Sequence, residues 1–341
     1  MQRLKGLATL VGSFPHQDAD EALDLIFKYV PSILSWPQLP RRDIREGMVA
    51  QFSEGMPCVR LSKKGLYLDE SNKEKELEDF YAGVIDKNIE NFKISEEYAQ
   101  GLWRFYRRLK DLDLSKVQYL KCHVTGPFTF AASIKDASGK PLLHDEVFMQ
   151  AIIKGLGMKA LWQVDLFKDL GKDIILFFDE PYLGCFGSGF TPINRENVVA
   201  GLKDLTSMVK QDGVYIGLHC CGNTDWSIFT DVEGIDIINF DAFSYLEKVT
   251  LYSQDIGKFL ERGGTLCWGI VPTNEFTSKI TPKSLLDKLQ AGINTFKNKG
   301  VRENLLCNRM LISPSCGLGS LEPEKAEAIL KLLVGLLQEI K

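Results

Sequence analysis

The sequence predicts an α/β fold, a single (β/α)8 TIM barrel with a long helical and hairpin insertion after its second strand. Eight short apolar runs bounded by Gly, Pro or Asp recur along the chain, with helical-period segments between them. The runs are continuously apolar instead of alternating, which is typical of parallel strands covered on both faces. Since barrels of 341 residues are common, we expect residues 1–341 to form one catalytic domain.

The predicted elements follow one another in the order that a barrel requires. The strands cover residues 7–12, 33–36, 117–124, 174–178, 214–219, 235–240, 265–269 and 306–312. The helices cover residues 18–30, 145–170, 194–210, 246–262, 283–297 and 322–340. The first helix opens with acidic residues, and Ser320 and Pro323 mark the start of the last one. Apolar residues at helical spacing give each helix a face that can cover the strands.

Residues 37–114 are too many for one crossover between the second and third strands. This segment contains charged helical patterns at 77–93 and 96–110 and a hairpin-like pattern at 58–69. We interpret it as an insertion that covers one end of the barrel. The sequence has no internal repeat, low-complexity tract or flexible linker, which argues against a second domain.

Composition excludes several classes of protein. A formal net charge of -4 offers no basic surface for nucleic acid or an anionic membrane. No apolar run approaches the length of a membrane span, and the N-terminus leads directly into a strand-like run, so we expect a cytoplasmic protein. Eight cysteines are too few and too dispersed for a disulfide scaffold, so reduced thiols are expected. Four of them are expected to be packing residues: Cys122, Cys185, Cys267 and Cys307.

Polar residues occur where the predicted strands end, and in barrels of this type the reactive groups collect at the C-terminal ends of strands. The first, fourth, fifth, sixth and eighth strands contribute them. In chain order they are Ser13, Asp179, Glu180, His219, Cys221, Asp241 and Cys316. We therefore expect these side chains to share one rim of the barrel.

A zinc site is the first function that this rim suggests. His219 and Cys221 are two residues apart at the end of a strand, so both can face one point, while Cys220 faces away. Cys316 can approach them from the eighth strand. Zinc accepts imidazole nitrogen and thiolate sulfur, and a catalytic zinc keeps one position open, which Asp241 or a substrate could fill. The alternative is that the histidine and the thiols are only packed in the core.

Two further rim residues are candidates for substrate binding. Asp179 follows a strongly apolar strand and could bind an ammonium group or act as a base, or it could be a salt-bridged loop acid. Ser13 could donate a hydrogen bond to a carboxylate, or it could cap the helix that follows.

At this point the sequence resembles the C-terminal catalytic domain of cobalamin-independent methionine synthase over essentially its whole length. The shared motifs occur in the same order: VGSFP at 11–15, TGPFT at 125–129, DEP at 179–181, the histidine and cysteine of 219–221, and PSCGL at 314–318. The histidine–cysteine motif also occurs in corrinoid:coenzyme M methyltransferases and in uroporphyrinogen-decarboxylase-like barrels. The opening motif is closer to methionine synthase.

The resemblance implies a role for each matching residue. His219, Cys221 and Cys316 match the zinc ligands, and Asp241 stands where the family has a glutamate as a further ligand. Ser13 and Asp179 match positions that hold the carboxylate and amino ends of homocysteine. Glu180 is a further expected substrate contact. The implied reaction is methyl transfer to a homocysteine thiolate held by zinc, with Asp179 and the three matching ligands as the catalytic residues.

Departures from the family bear on the methyl donor. A chain of 341 residues has no room for the additional folate-holding barrel of the full-length synthase, and residues 130–133 lack the tryptophan that the family places against the pterin. We therefore expect methylcobalamin, free or on a corrinoid protein, to be the donor. The sequence Arg41-Arg42-Asp43 also replaces an acidic stretch that contacts the amino group in the family, and Glu46 is a candidate substitute.

Three alternatives remain open from the sequence. The first is a methylcobalamin:coenzyme M or other thiol methyltransferase with the same zinc core. The second is a uroporphyrinogen-decarboxylase-like enzyme, for which Arg41, Arg42 and Arg45 could bind carboxylates. The third is a non-catalytic protein that binds a corrinoid or a metal.

Overall fold

Eight parallel strands form the predicted barrel in a computed structural model that describes residue 4 and residues 6–187, 193–274, 276–277 and 279–340. In chain order around the ring they are β1 (Leu7–Ala8), β2 (Ile33–Ser35), β5 (Tyr119–Thr125), β6 (Asp173–Asp179), β7 (Val214–Cys220), β8 (Ile237–Phe240), β9 (Thr265–Val271) and β10 (Met310–Pro314). Beyond the ends of β1 and β2, Ser13 pairs with Gln38 in a parallel bridge. The Gln38 amide also donates to the Gly12 carbonyl at 3.0 Å, and this contact links the segments after β1 and β2, the two edge strands of the sheet.

Helices surround this ring and confirm the predicted fold class. They are α1 (Ala19–Tyr29), α4 (Pro127–Ala132), α5 (Glu146–Phe167), α6 (Arg195–Val209), α7 (Ser227–Thr230), α8 (Leu246–Val249), α9 (Ser253–Glu261), α10 (Pro282–Asn298), α11 (Glu303–Asn308) and α12 (Pro323–Ile340). The helix predicted over 246–262 is in fact two helices, α8 and α9, joined by a short 3-10 turn.

The prediction for the last strand was wrong in its first part. Residues 306–308 belong to α11, and β10 begins only at Met310. Leu306 is fully buried from this helix, so its apolar character reflects packing of a helix and not a strand. A short apolar run cannot distinguish these two cases by periodicity alone.

The insertion lies between β2 and β5 and contains the predicted hairpin. Strands β3 (Val59–Ser62) and β4 (Gly65–Leu68) pair antiparallel. The two helices are shorter than predicted, α2 (Lys73–Ile85) and α3 (Gln100–Lys110), and the stretch between them includes a 3-10 turn. Contacts of α2 with α5 and of α3 with α1 attach the insertion to the helical layer.

The interior of the barrel is filled by side chains that alternate along each strand. An apolar cluster separate from the main core occupies it: Leu4, Ile33, Tyr119, Ile175, Phe177, Ile237, Cys267 and Leu311. The backbone of Gly217 makes room for Phe177, because a Cβ at position 217 would lie 2.2 Å from that ring. The barrel interior is thus packed below its C-terminal rim and leaves no open channel among these side chains. No helix in the described ranges is both long and apolar enough to cross a membrane.

Candidate metal centre and substrate cavity

Three of the residues predicted to bind metal converge at the C-terminal rim. His219 lies in β7, Cys221 directly follows that strand, and Cys316 follows β10 across the barrel mouth. One potential ligand atom from each side chain lies within 4.8 Å of the other two. The two-residue spacing at the end of β7 turns His219 and Cys221 to the same side, and the closed barrel brings Cys316 to them.

These side chains fit zinc better than they fit a hard cation. An imidazole nitrogen and two sulfurs are donors that zinc prefers, whereas magnesium and calcium take oxygen. Tetrahedral bonds of about 2.0–2.3 Å place ligand atoms roughly 3.5–3.8 Å apart, a separation that falls within the observed 4.8 Å limit. Three protein ligands leave a fourth position for a substrate atom, as in catalytic zinc sites.

A buried amide holds the imidazole in the form that binds metal. The Nδ2 group of Asn239 donates to the carbonyl of Cys267 at 2.9 Å and to Ser313 Oγ at 3.0 Å. A backbone carbonyl only accepts, so the Oδ1 atom of Asn239 must be the atom 2.6 Å from His219 Nδ1. His219 Nδ1 therefore carries a proton, and Nε2 is the nitrogen available to a metal.

Asn239 and Ser313 were not recognised as functional in the sequence, although residue 239 lies in the predicted sixth strand and residue 313 follows the eighth. We expect Asn239→Ala to lower the affinity for zinc about 10- to 100-fold, because the imidazole loses its orienting partner. Competition with a chromophoric chelator measures the zinc affinity. Ser313→Ala is the control. It should lose less zinc affinity than Asn239→Ala, because the Cys267 carbonyl still orients the Asn239 amide. Unchanged affinity in Asn239→Ala would contradict the role.

The pKa values of the Cys221 and Cys316 thiols are shifted in opposite directions even without a metal. A hydrogen bond from Cys221 and the neighbouring His219 hold the pKa of the Cys316 thiol well below its usual value. The same hydrogen bond, together with burial, raises the pKa of the Cys221 thiol. The site thus stabilises one thiolate among its own residues.

The fourth predicted ligand is not part of this group. Asp241 is buried after β8, but its carboxylate is not among the atoms that lie within 4.8 Å of one another. Its Oδ1 atom instead accepts a hydrogen bond from the Ser244 backbone amide at 2.8 Å. Burial raises the pKa of Asp241, and the nearby Cys316 thiolate adds to this effect. The structure therefore brings together three of the predicted ligands, and Asp241 lies outside their group.

A cavity of about 260 Å³ opens next to the three ligands. Its volume is below the ~300–1,000 Å³ typical of sites for drug-sized ligands, so it suits a smaller molecule. Ser13 lies on its wall beside the loop that carries Cys316, and Ser13 Oγ accepts from the Gly319 amide at 3.2 Å. The Ser13 hydroxyl proton remains available to a ligand. The polar residues that line the cavity besides the three ligands are Ser13, Gln38, His123, Asp179 and Ser320.

Asp179 is the one carboxyl side chain among the residues that line the cavity. The side chain is 8% exposed, and its Oδ1 atom has no hydrogen-bond partner among the residues that the structure describes. Burial raises the pKa of this carboxyl, while His219 and Lys121 oppose that effect. Leaving a buried carboxylate oxygen unpaired costs free energy, so the site is arranged for a ligand with a donor.

Gln38 is a second acceptor, and sequence reasoning did not assign it a role. Its Nε2 group donates to Gln51 Oε1 at 2.6 Å, and Gln51 Nε2 in turn donates to the Tyr98 carbonyl at 2.8 Å. Because that carbonyl only accepts, both amides have a defined orientation, and Gln38 Oε1 remains available in the cavity. In the sequence, the position of Gln38 directly after the predicted second strand was the only indication that it belongs to the site.

Glu180, a further expected substrate contact, makes hydrogen bonds within the protein. It is not among the residues that line the cavity. Its carboxylate accepts from the Phe128 and Thr129 amides at 2.9 and 2.8 Å and from the Thr129 hydroxyl at 2.7 Å. An acid in this position caps the N-terminus of α4. Burial raises the pKa of Glu180 to about 7, and the three donors act against that effect.

Glu46 likewise lies outside the cavity lining. Its carboxylate accepts from the Leu39 and Gln100 amides at 3.2 Å each and pairs with Arg42. It therefore links the start of α3 to the first residues of the insertion.

Fold and site together define an α/β barrel with a histidine- and thiol-containing group at the C-terminal ends of its strands. No family model matches the chain, and no curated protein matches it in sequence. Among solved structures, it is similar to a B12-independent methionine synthase from Shewanella sp. W3-18-1 in complex with selenomethionine. The TM-score is 0.58 and the identity 15%, over 98% of each chain. At this identity the likeness shows that the two chains share the barrel fold.

Proposed function

We propose that this protein is a zinc-dependent thiol methyltransferase that converts homocysteine to methionine, with methylcobalamin, free or on a corrinoid protein, as the methyl donor. The observation that carries the proposal is the convergence of His219, Cys221 and Cys316 within 4.8 Å beside a small cavity. Asp179 adds a carboxylate to the same cavity. A methionine synthase with a similar fold supports the choice of reaction.

The residues of the cavity complement an amino-acid thiol. Zinc bound by the three ligands would supply the deprotonation of a thiol at neutral pH. Asp179 Oδ1 and Gln38 Oε1 are acceptors for an ammonium group, and the Ser13 hydroxyl is a donor for a carboxylate. Holding both ends of the substrate fixes the sulfur in line with an approaching methyl group.

The size of the cavity supports a methyl donor that remains outside the cavity and approaches the bound thiol from its mouth. A space of about 260 Å³ holds a small thiol but is far too small for a corrinoid ring. In the proposed reaction the thiolate sulfur attacks the methyl carbon, a carbon–sulfur bond forms, and the carbon–cobalt bond breaks. The electron pair of the broken bond stays on cobalt, which becomes cob(I)alamin.

The uroporphyrinogen-decarboxylase-like alternative loses its support. Arg41 pairs with Glu322, Arg42 with Glu46, and Arg45 with Asp43 and Glu97. None of these arginines is among the residues that line the cavity. Within the described residues, the cavity therefore lacks the cationic side chains that a polycarboxylate would need.

The proposal is tested by measuring bound zinc in the purified protein and then following the methylcobalamin spectrum with either thiol. We expect about one zinc per chain and faster demethylation of the cobalamin with homocysteine than with coenzyme M. Absence of zinc, or equal rates with the two thiols, would overturn the proposal. Bound zinc without turnover of any thiol would favour a non-catalytic binding protein.

A further inference from the structure

His123 is a buried side chain in the substrate cavity to which the proposed reaction assigns no role. It lies on β5, is 2% exposed and lines the cavity next to the metal ligands. Neither Nδ1 nor Nε2 has a hydrogen-bond partner among the residues that the structure describes. A buried imidazole with two unpaired nitrogens is costly, so its retention beside a ligand site points to a ligand contact.

The surrounding residues hold the ring in place. The indole of Trp36 stacks on the imidazole with 3.7 Å between centroids and 23° between planes, and Phe52 meets it edge-on at 6.5 Å. On another side lies Gly12, whose φ of 152° lies in the region that favours glycine. A Cβ at position 12 would lie 2.7 Å from His123 Cε1, so only glycine leaves room for the ring. The ring is therefore preorganised for a ligand.

The imidazole is neutral in this setting. Burial, with a further contribution from Lys121, holds the pKa of His123 well below its usual value. Lys121 lies two residues earlier on the same face of β5, with Nζ 2.6 Å from the Val11 carbonyl and 4.5 Å from the Phe177 ring centroid. A neutral imidazole carries one N–H donor, and the adjacent cation favours an anionic partner for that donor.

The distribution of donors and acceptors in the cavity indicates which end of the substrate lies beside His123. Asp179 and Gln38 provide acceptors for an ammonium group. Ser13 provides one side-chain donor, whereas a carboxylate has two oxygens. The other uncommitted side-chain donors of the lining are Ser320, which is exposed, and His123, which is buried. We propose that His123 is a specificity-determining residue that donates an N–H hydrogen bond to the substrate carboxylate beside Ser13. This inference rests on the proposed function and extends it to amino-acid thiols as a class.

The test is calorimetric binding of two thiols to the zinc-loaded protein, homocysteine and its decarboxylated analogue 3-aminopropane-1-thiol. We expect His123→Phe to weaken homocysteine binding about 10- to 100-fold, because a hydrogen bond to a charged group is lost. Binding of the analogue should stay unchanged. Equal weakening of both thiols, or no weakening of either, would overturn the inference.

Controls separate a ligand contact from a structural role. His16→Phe makes the same exchange at a buried histidine whose Nδ1 is also unpaired among the described residues but which is not part of the cavity lining, and it should change neither affinity. The melting temperature of His123→Phe without thiol should equal or exceed that of the parent, since two unpaired buried nitrogens are removed. If phenylalanine does not fit beside Gly12, His123→Met should show the same selective loss.

Failure of the inference can be told from failure of the proposed function. If the parent protein binds neither thiol, the proposed function is overturned and the carboxylate contact with it. If the parent binds homocysteine and both His123 variants bind it equally well, only the role of His123 is overturned.

Discussion

Cys316→Ala is expected to abolish both zinc binding and methyl transfer. Its thiol belongs to the group of three side chains that could hold a metal, and it is the one whose thiolate form the neighbouring residues stabilise. Removing it leaves His219 and Cys221, which cannot complete a three-ligand catalytic site. The loss of zinc affinity should exceed the ~10- to 100-fold effect that is typical of an outer hydrogen-bond partner. Elemental analysis and the cobalamin assay measure the two outcomes.

The matched control for this variant is Cys220→Ala. Cys220 is fully buried one residue before a ligand, and alternation along β7 turns its side chain away from the cavity. We expect it to retain about one zinc per chain, with a small loss of stability from the missing sulfur. Cys316→Ala protein that keeps its metal and its rate would show that the assigned ligand set is wrong.

Asp179→Asn is expected to lower kcat/KM for homocysteine on the order of 100-fold while leaving coenzyme M turnover nearly unchanged. The exchange keeps the shape of the side chain but removes the charge that would pair with a buried ammonium. Coenzyme M has no ammonium group, so it should not sense the change. Steady-state rates with both thiols give the two values.

Glu180→Gln is the comparison variant for this experiment, since it makes the same chemical change in the adjacent residue. Its carboxylate caps α4 and is not among the residues that line the cavity, so discrimination between the two thiols should be preserved. If Asp179→Asn slows both thiols equally, the carboxylate does not recognise the ammonium, and the coenzyme M-type alternative gains support.

Much of the architecture could be read from local patterns. Continuous apolar runs predict parallel strands, and the rule that strand ends carry reactive groups placed seven residues on one rim. The prediction was wrong at Leu306, which is helical, because a short apolar run can form either a buried strand or a buried helix. A local pattern also does not show which partner a polar residue at a strand end contacts, and Glu180 contacts the backbone of α4.

The sequence by itself determined the barrel and the residues at its rim, because side-chain alternation and strand order are set by neighbours along the chain. Only the tertiary structure decided which rim residues share a centre and which contact other elements. The orientation of Asn239 depends on the carbonyl of Cys267, and that of Gln38 depends on Gln51. The enclosure of His123 depends on Trp36 and Gly12. Such contacts join distant segments, and hydrogen-bond direction and available volume are not encoded in any local pattern.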